Sequence, residues 1–489
     1  MVSRRGVLTG LLATLAAPAL GQVPFPPSRP TFVPAALRVS PAQMLAEARL
    51  GDGVGYLVAR LSDGQIIESR AADLTLPPAS TAKVVTAAYA LGHLGPDYRF
   101  DTLVLGQGAI QDGVLQGDLM LAGGGDPVLD TANLVGLVGQ LKAAGLRRVA
   151  GAFSYFDAAL PAIAEIDPGA QTPQAAYNAA ISGLNLNFNR VHFQWTRVQG
   201  EWQLKMDARG GGVEPAVSMV QMALATRGAP IFTHATDGVV ERWTVAREAL
   251  GNGGSRWLPV RNPGLYAADV FRTLCAAQGI ALPAPQRATT LLAGNVLAHH
   301  QSPELLIILR DMLAYSTNLT AEVVGLTASL RAGGAVSSLA QSAQRMAAWI
   351  AATHGAQMVL VDHSGLGGAA RVSPAQMVAF LRSVAGGPLR GILKPFDLQD
   401  AAGDKLMGAQ PQVATKTGTL NFVSCLVGYI DPLDAEDVVF AILSGDIPAR
   451  EATLQTPEEI PPGSRAWNTR ARRLQQQLVQ RWGAIQSTM

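Results

Sequence analysis

The chain has 489 residues, 48% of them hydrophobic and 15% charged. That length exceeds one ordinary domain, and that much apolar material can build a packed core. A formal net charge of +2 lacks the basic surplus of a nucleic-acid binder.

Residues 1–21 read as an export signal. Ser3-Arg4-Arg5 precedes the apolar run Gly6 to Leu20, and Ala19 and Gly21 bracket a cleavage site before Gln22. The run Ser3 to Leu8 is similar to a twin-arginine signal, with Val7 where phenylalanine is common and Thr9 in place of lysine. A general secretory signal is the alternative. The apolar stretch is about fifteen residues long and ends in prolines, too short for a membrane anchor. No cysteine follows it to carry a lipid, and no later run could span a membrane. The expected location is the periplasm.

Residues 22–41 form a proline-rich lead-in. A helix is expected from Pro41 to Leu50. Strands follow at Val54–Leu61 and Gln65–Ser69, around the hairpin signal Ser62-Asp63-Gly64. Pro77 and Pro78 stop that pattern. The apolar run Val84 to Leu91 then reads as a helix ended by Gly92. From about Tyr98, apolar runs shorten and glycine becomes dense, as in Phe100–Leu105, Gly117–Ala122 and the turn Gly123–Pro127. A helix intervenes at Leu134–Ala144. The alternation Leu184-Asn185-Leu186-Asn187-Phe188 predicts a strand. The stretch to about Leu292 thus reads as mainly β.

Helices return at Pro303–Ser316, Ala321–Ala332 and Ser337–Thr353. Strands are expected at Val413–Thr419, Val423–Ile430 and Val438–Ser444, and a last helix at Arg465–Ile485, packed on a sheet. Cys275 falls in a helix (Ala267–Ala277) and Cys425 in a strand, so they read as two buried thiols rather than one bridge. The seven histidines show no metal-ligand spacing, and His299-His300 reads as a loop.

The chemistry begins at Ser80-Thr81-Ala82-Lys83. Three residues apart at a helix start, Ser80 and Lys83 share a face and can meet. Backbone N–H groups there point at any developing negative charge. A serine hydroxyl needs a base, and a lysine supplies one when burial lowers its pKa. Alone, S-x-x-K is more often an N-cap serine and a surface lysine. Yet the chain has only six lysines, and two further patterns follow: Ser316-Thr317-Asn318 and Lys416-Thr417-Gly418, the latter on a strand with Thr419 after it.

The ordered set S-x-x-K, S-x-N, K-T-G is the signature of penicillin-binding proteins and serine β-lactamases. Ser80 and Ser316 are 236 residues apart, far more than in most β-lactamases. The chain therefore resembles the class C low-molecular-mass penicillin-binding proteins, the D-alanyl-D-alanine carboxypeptidase/endopeptidase family. Gly117–Leu121 with Gly125-Asp126-Pro127, Ala180–Asn187, Asp311–Tyr315, Asp362–Leu366 and Arg371–Pro374 are similar to family segments, and the likeness covers nearly all of the mature chain. Three departures stand out. Thr317 replaces a frequent aspartate, Gly367–Ala370 stands where a serine, an arginine and an asparagine are common, and Ala152 replaces an aspartate.

The resemblance implies an α/β (α+β) fold: a transpeptidase-like, serine β-lactamase-like domain made of residues 42–97 and 293–489, with a large, mainly β lobe inserted at 98–292. It implies a serine DD-peptidase acting on peptidoglycan stem peptides and acylated by β-lactam antibiotics, without cofactor or metal. Ser80 would attack the carbonyl, Lys83 would be its base, and Ser316 and Asn318 would relay the proton and orient the substrate amide. Lys416 and Thr417 would receive the substrate carboxylate, and Gly418 belongs to the same substrate-binding strand. The N–H groups of Ser80 and Thr419 would form the oxyanion hole. A β-lactamase and a catalytically silent peptidoglycan-binding protein on the same fold are the alternatives. The motifs leave open the preference for terminal D-alanine or for cross-links, and the oligomeric state.

Overall fold

Val54–Arg60, Val423–Asp431 and Val438–Gly445 are apolar at nearly every position, and such strands must be covered on both faces. In the computed structural model of the protein, which describes residues 38–486 except 401, 409, 434, 455 and 457, they form the centre of a six-stranded sheet. Its order is Lys394–Pro395, Gln412–Leu420, Val423–Asp431, Val438–Gly445, Val54–Arg60, Ile66–Arg70, with every neighbour antiparallel. The export-signal segment 1–21 and residues 22–37 of the lead-in lie outside the described residues.

Successive strand residues point to opposite faces, so each central strand feeds two layers. Tyr56, Val58, Leu426, Phe440 and Ile442 pack against Trp467, Leu474, Leu478 and Trp482 of the last helix, Ser464–Gln486. Leu57, Ala59, Val427, Val439 and Ala441 face the other way. They meet a helical layer built from Ala82–Leu94, Asn318–Arg331, Leu339–His354 and Pro374–Val384. Each large side chain buried this way contributes about 1.5–3 kcal/mol.

Between these two pieces of chain lies a second body with its own core. Its main sheet runs Pro285–Ala288, Phe153–Phe156, Leu119–Gly123, Asp101–Gly106, Asn295–Gln301, packed by helices Thr131–Ala143 and Pro263–Ala277. Small three-stranded sheets complete it. Asn295–Gln301 pairs antiparallel with Asp101–Gly106. The chain therefore rejoins the first body at about Ser302, not at 293, and His299 and His300 sit in a strand instead of a loop. Leu160, Ile166, Ala179 and Ile181 of the second body join the helical core of the first.

Two further expectations fail for physical reasons. Leu184–Phe188 is not a strand. Asn187, Phe188 and Asn189 all have positive φ, and the asparagine side chains replace ladder bonds with local ones. Asn185 Oδ1 accepts from Ser182 N–H at 3.2 Å, and Asn189 Nδ2 donates to Ala180 O at 2.7 Å. Nor does Gly92 end the Ser80 helix, which runs on to Leu94. A Cβ at Gly92 would lie 2.8 Å from the Trp349 ring, so the glycine admits that ring. Both cysteines are buried and free, Cys275 in the second core and Cys425 in the helical one.

Candidate active site

Pro77 and Pro78 bring the chain into a tight 3-10 turn, Ala79–Thr81, before the α-helix begins at Ala82. Thr81 ties the turn down: its N–H and its hydroxyl both donate to Pro78 O, at 3.2 and 2.6 Å. Ala79 is held at φ +48°, a region that L-residues other than glycine avoid at a cost of about 1–2 kcal/mol. Two glycines touch this turn. A Cβ on Gly365 would lie 1.8 Å from Ala79 O, and one on Gly418 would lie 2.8 Å from Pro78 O and 3.0 Å from Ser80 N. The glycine of K-T-G is there because the Lys416 strand passes against the backbone of Ser80.

Lys83 is fully buried. Its Nζ donates to Ser80 Oγ at 3.0 Å, Asn318 Oδ1 at 2.7 Å and Ser364 O at 2.8 Å. Burial lowers its pKa to about 8, against the pull of the Glu322 and Asp362 carboxylates. Asn318 begins the helix Asn318–Arg331, and its Nδ2 donates to Tyr177 O of the second body at 3.0 Å. Ser316 caps the preceding helix at φ +59°, ψ +40°, a left-handed residue that turns the chain toward Asn318. Lys416, 2% exposed, donates to Ser316 Oγ at 3.0 Å and to Thr417 O at 2.8 Å. Its pKa falls to about 6, through burial first and then the charges of Lys83 and Lys394.

Ser80, Ser316, Asn318 and Thr419 border a cleft of about 1190 Å³ between the two bodies, which Gln174 and Tyr177 of the second body also line. Arg256 of the second body bridges to Glu459 of the first at 2.6 Å along the same cleft. Thr417 lines an adjoining cavity of about 610 Å³ with Lys394 and Arg472. The Lys416 strand pairs with Lys394–Pro395 only at Ala414 and Thr415. Beyond Thr415 its outer edge carries no strand among the described residues.

The geometry has a chemical consequence. A neutral amine has two N–H bonds and one lone pair. Asn318 Oδ1 and Ser364 O can only accept, so they take both hydrogens and leave the lone pair aimed at the Ser80 hydroxyl. The reading from motifs singled out the Asp362–Leu366 segment but gave no site role to Asp362 or Ser364 O, and it missed Glu322 and Tyr177 O. Glu322 had a signal, since it lies four residues after Asn318 on one helical face; a backbone carbonyl has none.

A fold that brings these three motifs together is that of the penicillin-binding-protein class. The model of the D-Ala-D-Ala carboxypeptidase 3 (S13) family matches residues 37–458, and the chain belongs to that family. It is a serine-type DD-peptidase at that family level. A D-alanyl-D-alanine carboxypeptidase of an Actinomadura species is 27% identical over 433 residues, 80% of this chain and 77% of that one. The D-alanyl-D-alanine carboxypeptidase DacB of Haemophilus influenzae is 32% identical over 124 residues, 25% of each. The crystal structure of Haemophilus influenzae penicillin binding protein 4 has the same fold, with a TM-score of 0.71 at 21% identity, covering 90% of this chain and 99% of that one.

Proposed function

We propose that Ser80 is the nucleophile and Lys83 the base of a DD-peptidase that cleaves the D-alanyl-D-alanine bond of peptidoglycan stem peptides. The observation carrying this reading is the buried Lys83 amino group held between Ser80 Oγ and Asn318 Oδ1. In the acylation step the Ser80 proton passes to Lys83 as the Oγ–C bond forms. The carbonyl electrons move onto oxygen, facing the N–H groups of Ser80 and Thr419. One such donor is typically worth about 3 kcal/mol in the transition state. The C–N bond then breaks, the leaving amine takes from Lys83, through Ser316, the proton that Lys83 received, and water hydrolyses the ester. Lys416 and Thr417 receive the substrate carboxylate, whose charge favours the protonated form of Lys416. The open edge of the strand beyond Thr415 can add the peptide backbone as a further strand, with Gly418 letting it lie against the Ser80 turn.

The catalytic unit comprises residues 42–97 with the chain from about 302 onward, and the lobe between them positions polymeric substrate across the cleft. The motifs at 1–21 direct the protein to the periplasm. Among the described residues no helix is long and apolar enough to cross a membrane. The test is a fluorescent penicillin: the mature protein should form a long-lived covalent adduct, absent in Ser80→Ala. A folded wild type that forms none would sink the assignment. Rapid turnover of the drug would favour the β-lactamase alternative, and wall binding without release of D-alanine the silent one.

A further inference from the structure

Of the three acceptors around Lys83, Ser364 O is held in place by a carboxylate on the helix that begins with a second acceptor, Asn318. Glu322 lies one helical turn beyond Asn318 on the same helix and is fully buried. Its oxygens accept the backbone N–H groups of His363 at 2.9 Å and Ser364 at 2.8 Å. The carbonyl of that same Ser364 accepts from Lys83. Asp362, also buried, clamps the other end of this loop by accepting from Gly365 and Gly367 N–H, each at 2.6 Å. Helix and loop have no slack between them, because a Cβ on Gly325 would lie 2.2 Å from the His363 ring. None of the roles assigned above uses either carboxylate. A buried carboxylate costs several kcal/mol unless hydrogen bonds and a counter-charge offset it. Here the hydrogen bonds are those that shape the environment of the base.

We propose that Glu322 is a positioning residue for Lys83. It locks the Asp362–Gly367 loop so that Ser364 O and Asn318 Oδ1 take the two amine hydrogens, and its charge sets the pH at which Lys83 becomes a free base. The inference rests on Ser80 as nucleophile and Lys83 as its base. The charged and titratable groups facing Glu322 are Lys83 from the Ser80 helix, and Asp362 and His363 from the loop. Asp167 of the second body acts on Asp362. Burial, then Asp362, raises the Glu322 carboxyl, while the hydrogen bonds from Ser364 and His363 and the charge of Lys83 favour its ionised form. Burial likewise raises Asp362. Both carboxylates favour the charged form of Lys83, so removing either charge makes that lysine easier to deprotonate.

The test is the acylation rate at saturating penicillin, followed across about pH 5–10 in wild type, Glu322→Gln, Glu322→Asp and Asp362→Asn. At saturation the drug's carboxylate keeps Lys416 charged, so the acid limb reports Lys83 together with the two carboxylates coupled to it. Glu322→Gln should lower the plateau at least about 10-fold, because one amide hydrogen now faces a backbone N–H, and should move the limb down by about one pH unit. Glu322→Asp, which keeps the charge, should leave the limb in place while the plateau falls. A plateau loss with an unmoved limb in Glu322→Gln is the mark of a merely structural residue and overturns the proposal, as does an unchanged rate. Should Glu322→Gln fail to fold by near-UV circular dichroism, Glu322→Asp and Asp362→Asn decide together: a lowered plateau with an unmoved limb in the first and a downward shift in the second support the proposal, and an unchanged plateau in the first or an unmoved limb in the second overturns it. An adduct that persists in Ser80→Ala would instead overturn the assignment of the nucleophile itself, an outcome visible before any limb is measured.

Discussion

Gly365→Ala should damage the enzyme through the backbone of the residue before the nucleophile. Gly365 has φ +76°, and its missing Cβ would lie 1.8 Å from Ala79 O and 2.5 Å from Ala79 C. Non-bonded heavy atoms sit comfortably at about 3.5–4.0 Å, so Ala79 or the loop must retreat by roughly 2 Å. The left-handed backbone costs an alanine about 1–2 kcal/mol. Forcing an overpacked site to yield costs about 1–3 kcal/mol more, for a total near 2–5 kcal/mol. Because Ala79 leads directly into Ser80, displacing it also misplaces the hydroxyl, and an error of about 1 Å in a reacting group can cost about 100-fold in rate. Denaturant unfolding and the rate of fluorescent-penicillin acylation measure the two effects. Gly145→Ala is the control. That glycine has φ +81°, and a methyl added there would meet nothing within 4 Å, so it carries the backbone cost without the overlap and should acylate normally. If Gly365→Ala acylates at the wild-type rate, the close packing of the Asp362–Gly367 loop on the Ser80 turn does not control the nucleophile.

Lys83→Ala should lower acylation by about 10²–10⁴-fold, the usual worth of a positioned base, read as slow adduct formation at saturating drug. At sub-saturating substrate the rate should fall on both sides of neutrality. It falls with acid because Lys83, with a pKa of about 8, must be unprotonated to accept the Ser80 proton. It falls with alkali because Lys416, at about 6 in the empty site, must be protonated to meet a carboxylate; a rate that climbs steadily through alkaline pH would refute that pairing. Trp482→Ala should destabilise the protein by about 3–5 kcal/mol in denaturant unfolding, since the ring is fully buried against Tyr56 and Phe440. Arg256→Ala should change stability by less than about 1 kcal/mol, because its bridge to Glu459 is partly exposed.

The sequence by itself carried the chemistry and most of the elements. Ser80 and Lys83 three apart, then Ser316, Asn318 and Lys416, form the ordered motif set whose resemblance to penicillin-binding proteins implies the proposed mechanism. The apolar runs at Val54, Val423 and Val438 announce buried strands for a local reason. What tertiary structure decided is non-local. Leu184–Phe188 has the alternation of a strand, yet its asparagines find better partners in the loop's own backbone and in Thr131. Gly92 looks like a helix stop, but Trp349, distant in sequence, needs the room. The join near Ser302 instead of 293 follows from Asn295–Gln301 finding a partner strand nearly two hundred residues earlier. The setting of Lys83 is the clearest case. That a lysine is present is local information, but its burial, its free lone pair and its carboxylate neighbours come from three separated segments meeting around Nζ, and a backbone carbonyl such as Ser364 O leaves no trace in the identity of any residue.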